Sequence, residues 1–534
     1  MEKIWIKNDD GQMNIKVDFV FETTVKGEIG IKVAAADVFR LSVNDKVIGY
    51  GPRRIGKGVS ALNEYSITCT SDLTVIKIEV VSYKNDGYYI PIQNAFFAAE
   101  VICGGQVLAA SSAFTAYRDY GKEQKVLRYS LQRNFTESYR YPSDYVKQEV
   151  CEVNGNEICD CDLPYPDFSF SEGREIERGS IKIKEKYDKF PLPFVFPLAK
   201  YMLQFKEYEL ESDVVDDLSA IEYYRDDAID VSENYYRTFE FDYAMTGFIS
   251  VEVEVESAAD IYFVFDETMN TELFRFSEKI YADYYHNSAL PVYWHRLNTV
   301  NIVKYALKSG KCRLLTIEPY CLKFLRIIVV GKATVSNVRI VKYENADAFQ
   351  NKPDFKDKVL NELYVAAQRT FAQCSVDWLI DCPSRERAAW LCDTYFSAKA
   401  ERYLTGSNRI EKNTLNAFLT LPKEDYSIPE KMIPMCLYVN PFQKLYMPTW
   451  AMWFVMEIDD YLSRTGDKEF TDKFREKIYG LIEWFNGYVN EYGLLEDVDG
   501  QLFIEWSKAN DFTAGVYFPA FMLFYKTLYA VYNL

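Results

Sequence analysis

Apolar and polar residues alternate along the first quarter of the chain in short runs, which are separated by residues typical of tight turns. Alternation with a period of two predicts β-strands that bury one face. Asn44-Asp45 and Gly104-Gly105 suit two-residue hairpins, because the central positions of such turns require positive φ. The pattern therefore predicts a β-sandwich over residues 1–135.

The pattern becomes less regular over residues 136–230, where prolines interrupt it in DLPYPDF and FPLPFVFP. We predict an irregular or β linker region there. Alternation returns over residues 231–350, for example in TGFISVEVEV and DIYFVFDE. This block predicts a second β-sandwich.

After residue 351 the spacing of apolar residues changes from two to three or four, which is the period of a helix. Val359, Leu360, Leu363 and Phe371 fall on one side of the first predicted helix. Further helices are predicted over 387–404, 409–420, 449–464, 468–491 and 514–533. The fold class is thus multidomain β + α, with N-terminal β-sandwich domains followed by a helical domain over 351–534.

Charge limits the partners of the chain. It carries 61 Lys and Arg against 79 Asp and Glu, a formal net charge of −18. Nucleic acid and anionic membranes would be repelled, so neither is expected as a partner. The apolar segment 514–533 contains Pro519 and Lys526 and is predicted to be a packed helix rather than a membrane span. MEKIWIKNDD has no apolar signal region, which leaves a cytoplasmic protein, or a periplasmic one after processing.

The residues that could bind a metal are few. Eleven cysteines are scattered, and Cys151, Cys159 and Cys161 lack both a nearby histidine and zinc-finger spacing. The only histidines, His286 and His295, share one segment. We therefore predict no metal site and no organic cofactor, and a histidine-based nucleophile triad is also not expected. GPRRIGKG (51–58) resembles a phosphate-binding loop, but it lies between strands and lacks the final hydroxyl, so it is interpreted as a glycine-rich turn.

DCPSRERAAWLCD (381–393) concentrates charged residues around a tryptophan. Ser384 follows a proline and suits a helix N-cap, which would place Glu386, Trp390 and Asp393 on one stripe. One interpretation is an ordinary charged helix face. The other is a general acid among carboxylates beside an indole that could stack on a sugar. The residues alone leave these two interpretations open.

The same stretch resembles the signature of the α-L-rhamnosidase family, glycoside hydrolase family 78. The matching positions are Asp381, Cys382, Pro383, Arg385, Glu386, Trp390 and Asp393. Ala389 and Cys392 depart from it where the family usually has glycine, and neither departure removes a reacting group. The resemblance implies an N-terminal β-sandwich similar to a carbohydrate-binding module, further β-sandwich domains and then an (α/α)6 toroid.

The resemblance also implies roles for individual residues. Glu386 would be the general acid, and Asp381, Arg385 and Asp393 would hold rhamnose hydroxyls beside Trp390. Within FIEWSKAND (503–511), Glu505 and Trp506 resemble substrate-binding residues of a subsite, and Trp450 is a similar candidate. For all three the alternative is structural packing, and for Trp450 this means packing in the core. The implied activity is removal of terminal α-L-rhamnose with inversion, without a cofactor.

The number of predicted helices fits only part of such a toroid. A full toroid has six helix pairs, whereas the helices predicted after residue 351 form about three. We therefore expect about half of a toroid, without the family's general base, and an exposed apolar face on segment 514–533, which would favour a homo-oligomer. The alternatives are a non-catalytic rhamnoside-binding protein that lacks the base and a phosphorolytic sugar enzyme.

Overall fold

The structure is a computed structural model. It describes residues 1–9, 11–185, 217–218, 220–269, 299–352, 354–420, 428–437, 446–505 and 508–534. Within these ranges the last strand ends before the helices of residues 358–533 begin, which confirms the predicted fold class. The strands are β1 (Ile4–Ile6), β2 (Ile15–Thr23), β3 (Gly27–Ala36), β4 (Val38–Val43), β5 (Lys46–Gly51), β6 (Val59–Ala61), β7 (Asn63–Cys69), β8 (Thr74–Ser82), β9 (Phe96–Cys103), β10 (Gln106–Ala110), β11 (Thr115–Asp119), β12 (Glu137–Tyr141), β13 (Tyr145–Gln148), β14 (Val150–Glu152), β15 (Glu157–Cys159), β16 (Phe170–Glu172), β17 (Arg174–Ile183), β18 (Ile221–Arg225), β19 (Glu233–Asp266), β20 (Ile302–Leu307), β21 (Gly310–Leu315) and β22 (Tyr320–Lys342).

Two six-stranded sheets form the first β-sandwich. One has the order β14-β1-β9-β3-β7 with β10 paired to β9, and the other has the order β13-β11-β2-β8-β4-β5. Their inner faces enclose a core that includes Val17, Phe19 and Ile31. Asn44 and Asp45 have φ of 46° and 61° between β4 and β5, as the hairpin prediction requires. No helix follows β5 before β6 begins, so the glycine-rich turn is also confirmed.

The larger β unit is an eight-stranded sheet built around two long strands. β19 has 34 residues and β22 has 23. Tyr235 and Ile261, near the two ends of β19, both pair with Val329 of β22, so β19 runs along both sides of its partner. Side chains of β19 and β22 contribute to an apolar core that includes Phe263 and Ile327.

The predicted linker over 136–230 contributes strands to both neighbours. β13 and β14 are edge strands of the first sandwich, and β12 pairs in parallel with β20 of the large sheet. β16, β17 and β18 also belong to the large sheet. These strands are short or carry exposed side chains, which is why their alternation was weak in the sequence.

The helical part of the described chain begins at Lys358. Its helices are α1 (Lys358–Gln373), α2 (Leu391–Thr405), α3 (Arg409–Ala417), α4 (Pro448–Thr465), α5 (Lys468–Thr471), α6 (Arg475–Asn486) and α7 (Phe518–Asn533). Short 3-10 helices are present at Ser111–Ala113, Ala346–Phe349, Asp472–Phe474 and Lys508–Asp511. The helices share a core that includes Trp378, Phe454 and Phe485.

Two helix predictions need correction. The helix predicted from Ser384 begins only at Leu391, because the preceding residues form a separate hydrogen-bonded loop. On α1 the expected apolar side is not a packed face. Of its members Phe371 is 6% exposed, whereas Val359 and Leu363 are each 61% exposed.

The outer face of α7 is apolar and exposed, as predicted for segment 514–533. Phe518, Met522, Tyr525, Tyr529 and Tyr532 are between 54% and 86% exposed. They recur at helical spacing and therefore form one stripe, which we call the α7 stripe. Within the described ranges, none of the helices has the length and apolar character needed to cross a bilayer.

Candidate active site

The loop from Asp381 to Trp390 is closed by two reciprocal hydrogen bonds. The Asp381 N–H donates to the Ala388 carbonyl at 3.0 Å, and the Ala388 N–H donates to Oδ1 of Asp381 at 3.0 Å. Arg387 adopts φ of 53°, so the backbone turns sharply before the closure. The Leu391 N–H then donates to the Met435 carbonyl at 3.1 Å, and α2 begins there. We call residues 381–390 the acid loop.

Glu386 lies inside this loop with 5% of its surface exposed. Its Oε1 forms an ion pair with Arg385, and its Oε2 accepts a 2.7 Å hydrogen bond from Nε1 of Trp390. Arg385 therefore turns towards Glu386 rather than towards Asp381 or Asp393. The structure brings the predicted acid and the predicted indole together, although no helix connects them.

Asp381 and Asp393 lie on either side of Glu386 in the sequence, and the Glu386 carboxylate contributes to the pKa of both. Burial, with a further contribution from the Glu386 carboxylate, raises the pKa of Asp381 to about 7. Burial, and to a smaller extent the same carboxylate, raises the pKa of Asp393 to about 6. Asp381 and Asp393 therefore retain protons at a pH where isolated aspartates have lost them.

Aromatic rings line one side of this group. The rings of Tyr88 and Trp390 pack edge to face, with 5.6 Å between their centroids. The ring of Trp450 also contacts Trp390, with 5.9 Å between the centroids. Phe503 stacks on Trp450 at 5.8 Å. The Nε1 of Trp450 is buried and has no acceptor in the part of the chain that the structure describes. Trp450 thus lies beside the acid loop, as its predicted role requires.

The other predicted subsite residues have different outcomes. Glu505 is exposed and lies two residues beyond Phe503, whose carbonyl accepts a 2.6 Å hydrogen bond from the Thr449 hydroxyl. This hydrogen bond places the segment that contains Glu505 next to the aromatic rings of Trp450 and Phe503, which together with Trp390 and Tyr88 we call the aromatic wall. Trp506 lies outside the described residues, as do both histidines.

Sequence reasoning missed the contribution of the first sandwich. Arg54, in the glycine-rich turn, forms an ion pair with Asp377 and donates to the Arg387 carbonyl at 2.9 Å. The Arg387 guanidinium lies 4.4 Å from the ring centroid of Tyr89. In the sequence, GPRRIGKG resembles only a phosphate-binding loop, and nothing in it indicates a contact with residues more than 300 positions later.

No metal centre was predicted, and among the described residues no group of three or more His, Cys, Asp or Glu side chains could hold a metal ion. The reacting groups that the structure assembles are carboxyls, one guanidinium and indoles. Such a set can donate a proton to an oxygen atom and can bind hydroxyls, and its aromatic wall suits the apolar face of a sugar ring.

Comparison with known proteins identifies a family for the helical region. Residues 354–526 match the family described as bacterial alpha-L-rhamnosidase 6 hairpin glycosidase domain. This range contains the whole acid loop, so the resemblance predicted from the motif is confirmed for this part of the chain. No curated protein matches the chain in sequence.

Several solved structures share the fold at low sequence identity. A GH78 family rhamnosidase from Bacillus sp. GL1 has a TM-score of 0.76 at 14% identity, with 100% of this chain and 74% of that chain covered. An alpha-L-rhamnosidase from Dictyoglumus thermophilum has a TM-score of 0.62 at 13% identity, with 99% and 56% covered. A Streptomyces avermitilis alpha-L-rhamnosidase, solved in complex with L-rhamnose, has a TM-score of 0.57 at 12% identity, with 94% and 45% covered. These structural similarities show that the chain shares the fold of these proteins. The chain spans about half the length of the second and third proteins.

Proposed function

We propose that this chain, whose residues 354–526 match the bacterial alpha-L-rhamnosidase six-hairpin glycosidase domain, hydrolyses terminal α-L-rhamnosides. The observation that carries the proposal is the position of Glu386. It is nearly buried between Asp381 and Asp393, and its carboxylate is held by Arg385 and Trp390. A carboxyl fixed in this way has the orientation that a general acid needs.

Glu386 would give its proton to the glycosidic oxygen while the bond from that oxygen to the anomeric carbon breaks. The leaving alcohol departs neutral, and water adds to the anomeric carbon. If the enzyme inverts configuration, a second carboxylate on the opposite face of the sugar takes the proton of this water, about 6.5–9.5 Å from the acid. We assign no residue of the chain to that role.

The groups around the acid are suited to rhamnose hydroxyls. Arg385 is in contact with Glu386, yet its Nε is buried and has no acceptor among the described residues. A substrate hydroxyl could therefore accept from Nε without competing for the donor that binds Glu386. Asp381 and Asp393, with pKa values of about 7 and about 6, supply acceptors or donors according to pH.

The direct test is release of p-nitrophenol from p-nitrophenyl α-L-rhamnopyranoside by the purified chain. Hydrolysis should proceed without phosphate, and the first product detected by proton NMR should be the β-anomer of L-rhamnose if configuration is inverted. Initial formation of the α-anomer would contradict inversion while leaving hydrolysis in place. Activity that requires phosphate and yields rhamnose 1-phosphate would favour the phosphorolytic enzyme instead.

The alternative function is rhamnoside binding without turnover. The exposed position of Glu505 supports this alternative. Among the described residues, no contact of the Glu505 carboxylate would orient it as a base. Isothermal titration with L-rhamnose distinguishes the two functions. Binding together with no product release after prolonged incubation would support the binding protein and contradict hydrolysis.

A further inference from the structure

We infer that Ser130, Arg133 and Arg54 are positioning residues, which fix the acid loop from the β part of the chain and so set the orientation of Glu386. The inference rests on the proposed function for its catalytic consequence. Its structural part, that these three side chains hold the loop, can be tested separately.

The contacts are made to the backbone carbonyls of three loop residues, Ser384, Arg385 and Arg387. Ser130 Oγ donates to the Arg385 carbonyl at 2.7 Å, and Nη1 of Arg133 donates to the Ser384 carbonyl at 2.9 Å. Nη1 of Arg54 donates to the carbonyl of the residue after Glu386 at 2.9 Å. The carbonyls immediately before and after Glu386 are thus both bound by side chains from the first 130 residues.

These donors are themselves held firmly. Arg133 forms a buried ion pair with Glu318 at 3.2 Å, and its guanidinium lies 4.5 Å from the Tyr129 ring centroid. Ser130 Oγ accepts the Arg133 N–H at 3.0 Å. Arg133 is therefore held by the large β unit and Ser130 is bound to Arg133, so both can restrain the loop rather than move with it.

The loop needs such support because it is not part of a helix. The acid loop precedes the first residue of α2, and its own closure joins Asp381 to Ala388 without involving the carbonyls of residues 384, 385 or 387. A displacement of about 1 Å of a catalytic group can lower the rate of a reaction by about 100-fold. Loss of one anchor should therefore alter turnover more than ground-state binding.

Ser130→Ala removes one anchor with little change in volume, and the chain offers a matched control. Ser111 Oγ also donates to a carbonyl at 2.7 Å, that of Glu2, and accepts a backbone N–H at 3.0 Å, that of Ala99. Both serines are at most 1% exposed. Ser111→Ala therefore costs the same type of hydrogen bonds in the first sandwich, away from the acid loop.

We expect Ser130→Ala to lower kcat by about tenfold with KM changed less than about twofold, and Ser111→Ala to change neither. The loss should be larger for methyl α-L-rhamnoside than for the p-nitrophenyl glycoside, because the poorer leaving group depends more on the acid. Equal losses in both serine variants, or a loss confined to KM, would overturn the positioning role.

Amide hydrogen exchange tests the anchoring without reference to activity. In Ser130→Ala, peptides covering residues 381–390 should exchange at least about threefold faster, whereas Ser111→Ala should leave them unchanged. Unchanged exchange in Ser130→Ala would overturn the inference. If the native chain cleaves no rhamnoside, the proposed function fails, and this measurement still decides whether the β part holds the loop.

Discussion

Nε1 of Trp390 donates a 2.7 Å hydrogen bond to Oε2 of Glu386, across a turn rather than along a helix. The indole is therefore fixed by its own donor, and its ring lies against Tyr88 and Trp450. The acid and the aromatic wall form one connected unit. A molecule that contacts the ring is consequently held at a defined distance from the Glu386 carboxylate.

Replacing Glu386 with glutamine tests the general acid. The amide has nearly the same shape, so rhamnose binding should remain within a few-fold of the native value. Turnover of alkyl rhamnosides should fall by about 10²–10⁴-fold, because no proton is available for the leaving oxygen. The p-nitrophenyl glycoside needs less protonation and should lose much less. Steady-state kinetics with both substrates decide, and binding lost together with an equal fall for both would assign Glu386 a structural role.

The raised pKa values of two aspartates predict how stability depends on pH. Burial raises the pKa of Asp381 from its usual 3.8 to about 7, so the folded state binds a proton more tightly than the unfolded state. Stability from this group is therefore present at low pH and is lost as pH rises from about 4 to about 7, by at most about 1.4 kcal/mol per pH unit. Asp381→Asn should make this decline shallower, as measured by urea denaturation.

Asp393 provides the comparison, because its pKa is raised to about 6 only. Asp393→Asn should flatten the dependence between about pH 4 and 6, while Asp381→Asn should still do so between about pH 6 and 7. If both variants follow the native curve throughout, neither carboxyl holds a proton in the folded state as described.

The ion pair between Arg54 and Asp377 is predicted to be important for stability. Burial opposes the charge of Asp377, but Arg54 more than offsets this and holds the pKa of the carboxyl below its usual range. Arg54→Ala leaves that charge buried and unpaired, and the free energy of unfolding should fall by about 3–5 kcal/mol. Adding Asp377→Asn removes the charge and should restore part of the loss.

An exposed ion pair supplies the control for this measurement. Arg174 pairs with Glu240, and its side chain is 73% exposed. Arg174→Ala should lower the free energy of unfolding by less than about 1 kcal/mol, since exposed pairs are screened by water and ions. Equal costs for the Arg54 and Arg174 variants in chemical denaturation would be inconsistent with a tightly coupled contact between the sandwich and the helical region.

The α7 stripe predicts self-association. A contiguous row of exposed apolar side chains on one helix favours contact with another molecule. Sedimentation velocity should show a mass that rises with concentration, and Met522→Lys with Tyr525→Lys should reduce it. Tyr403, 79% exposed on α2, supplies a control position, since Tyr403→Lys adds charge outside the stripe. A native chain that stays monomeric at all concentrations tested would contradict the prediction.

Local patterns predicted much of the fold. The change of apolar period near residue 351 reflects backbone geometry, which each segment expresses by itself, and the start of α4 at Pro448 was placed within one residue. The start of α2 was missed because it depends on contacts between distant residues. Ser384 is a good cap locally, but the closure from Asp381 to Ala388 determines the backbone there instead.

In the candidate site, too, local sequence indicates some residues, whereas others depend on contacts between distant parts of the chain. Glu386, Asp381 and Asp393 could be predicted as candidates because their spacing within one short stretch resembles a family signature. Arg54 was not found, because it lies 323 residues before its partner Asp377 and no periodicity connects them. Side chains that act across such separations become visible only when the chain is folded.

The support of the acid loop by residues of the β part has a consequence for how such chains can be recombined. A fragment that starts at α1 would carry Glu386 but none of the three side chains that reach it from earlier in the sequence. Exchanging the helical region between two homologous chains would therefore transfer Glu386 without the side chains that bind its loop. A chimaera that preserves the contacts of the acid loop has to carry the segments around Arg54 and Ser130 together with it, so the structural unit to be exchanged extends over three distant stretches of the sequence.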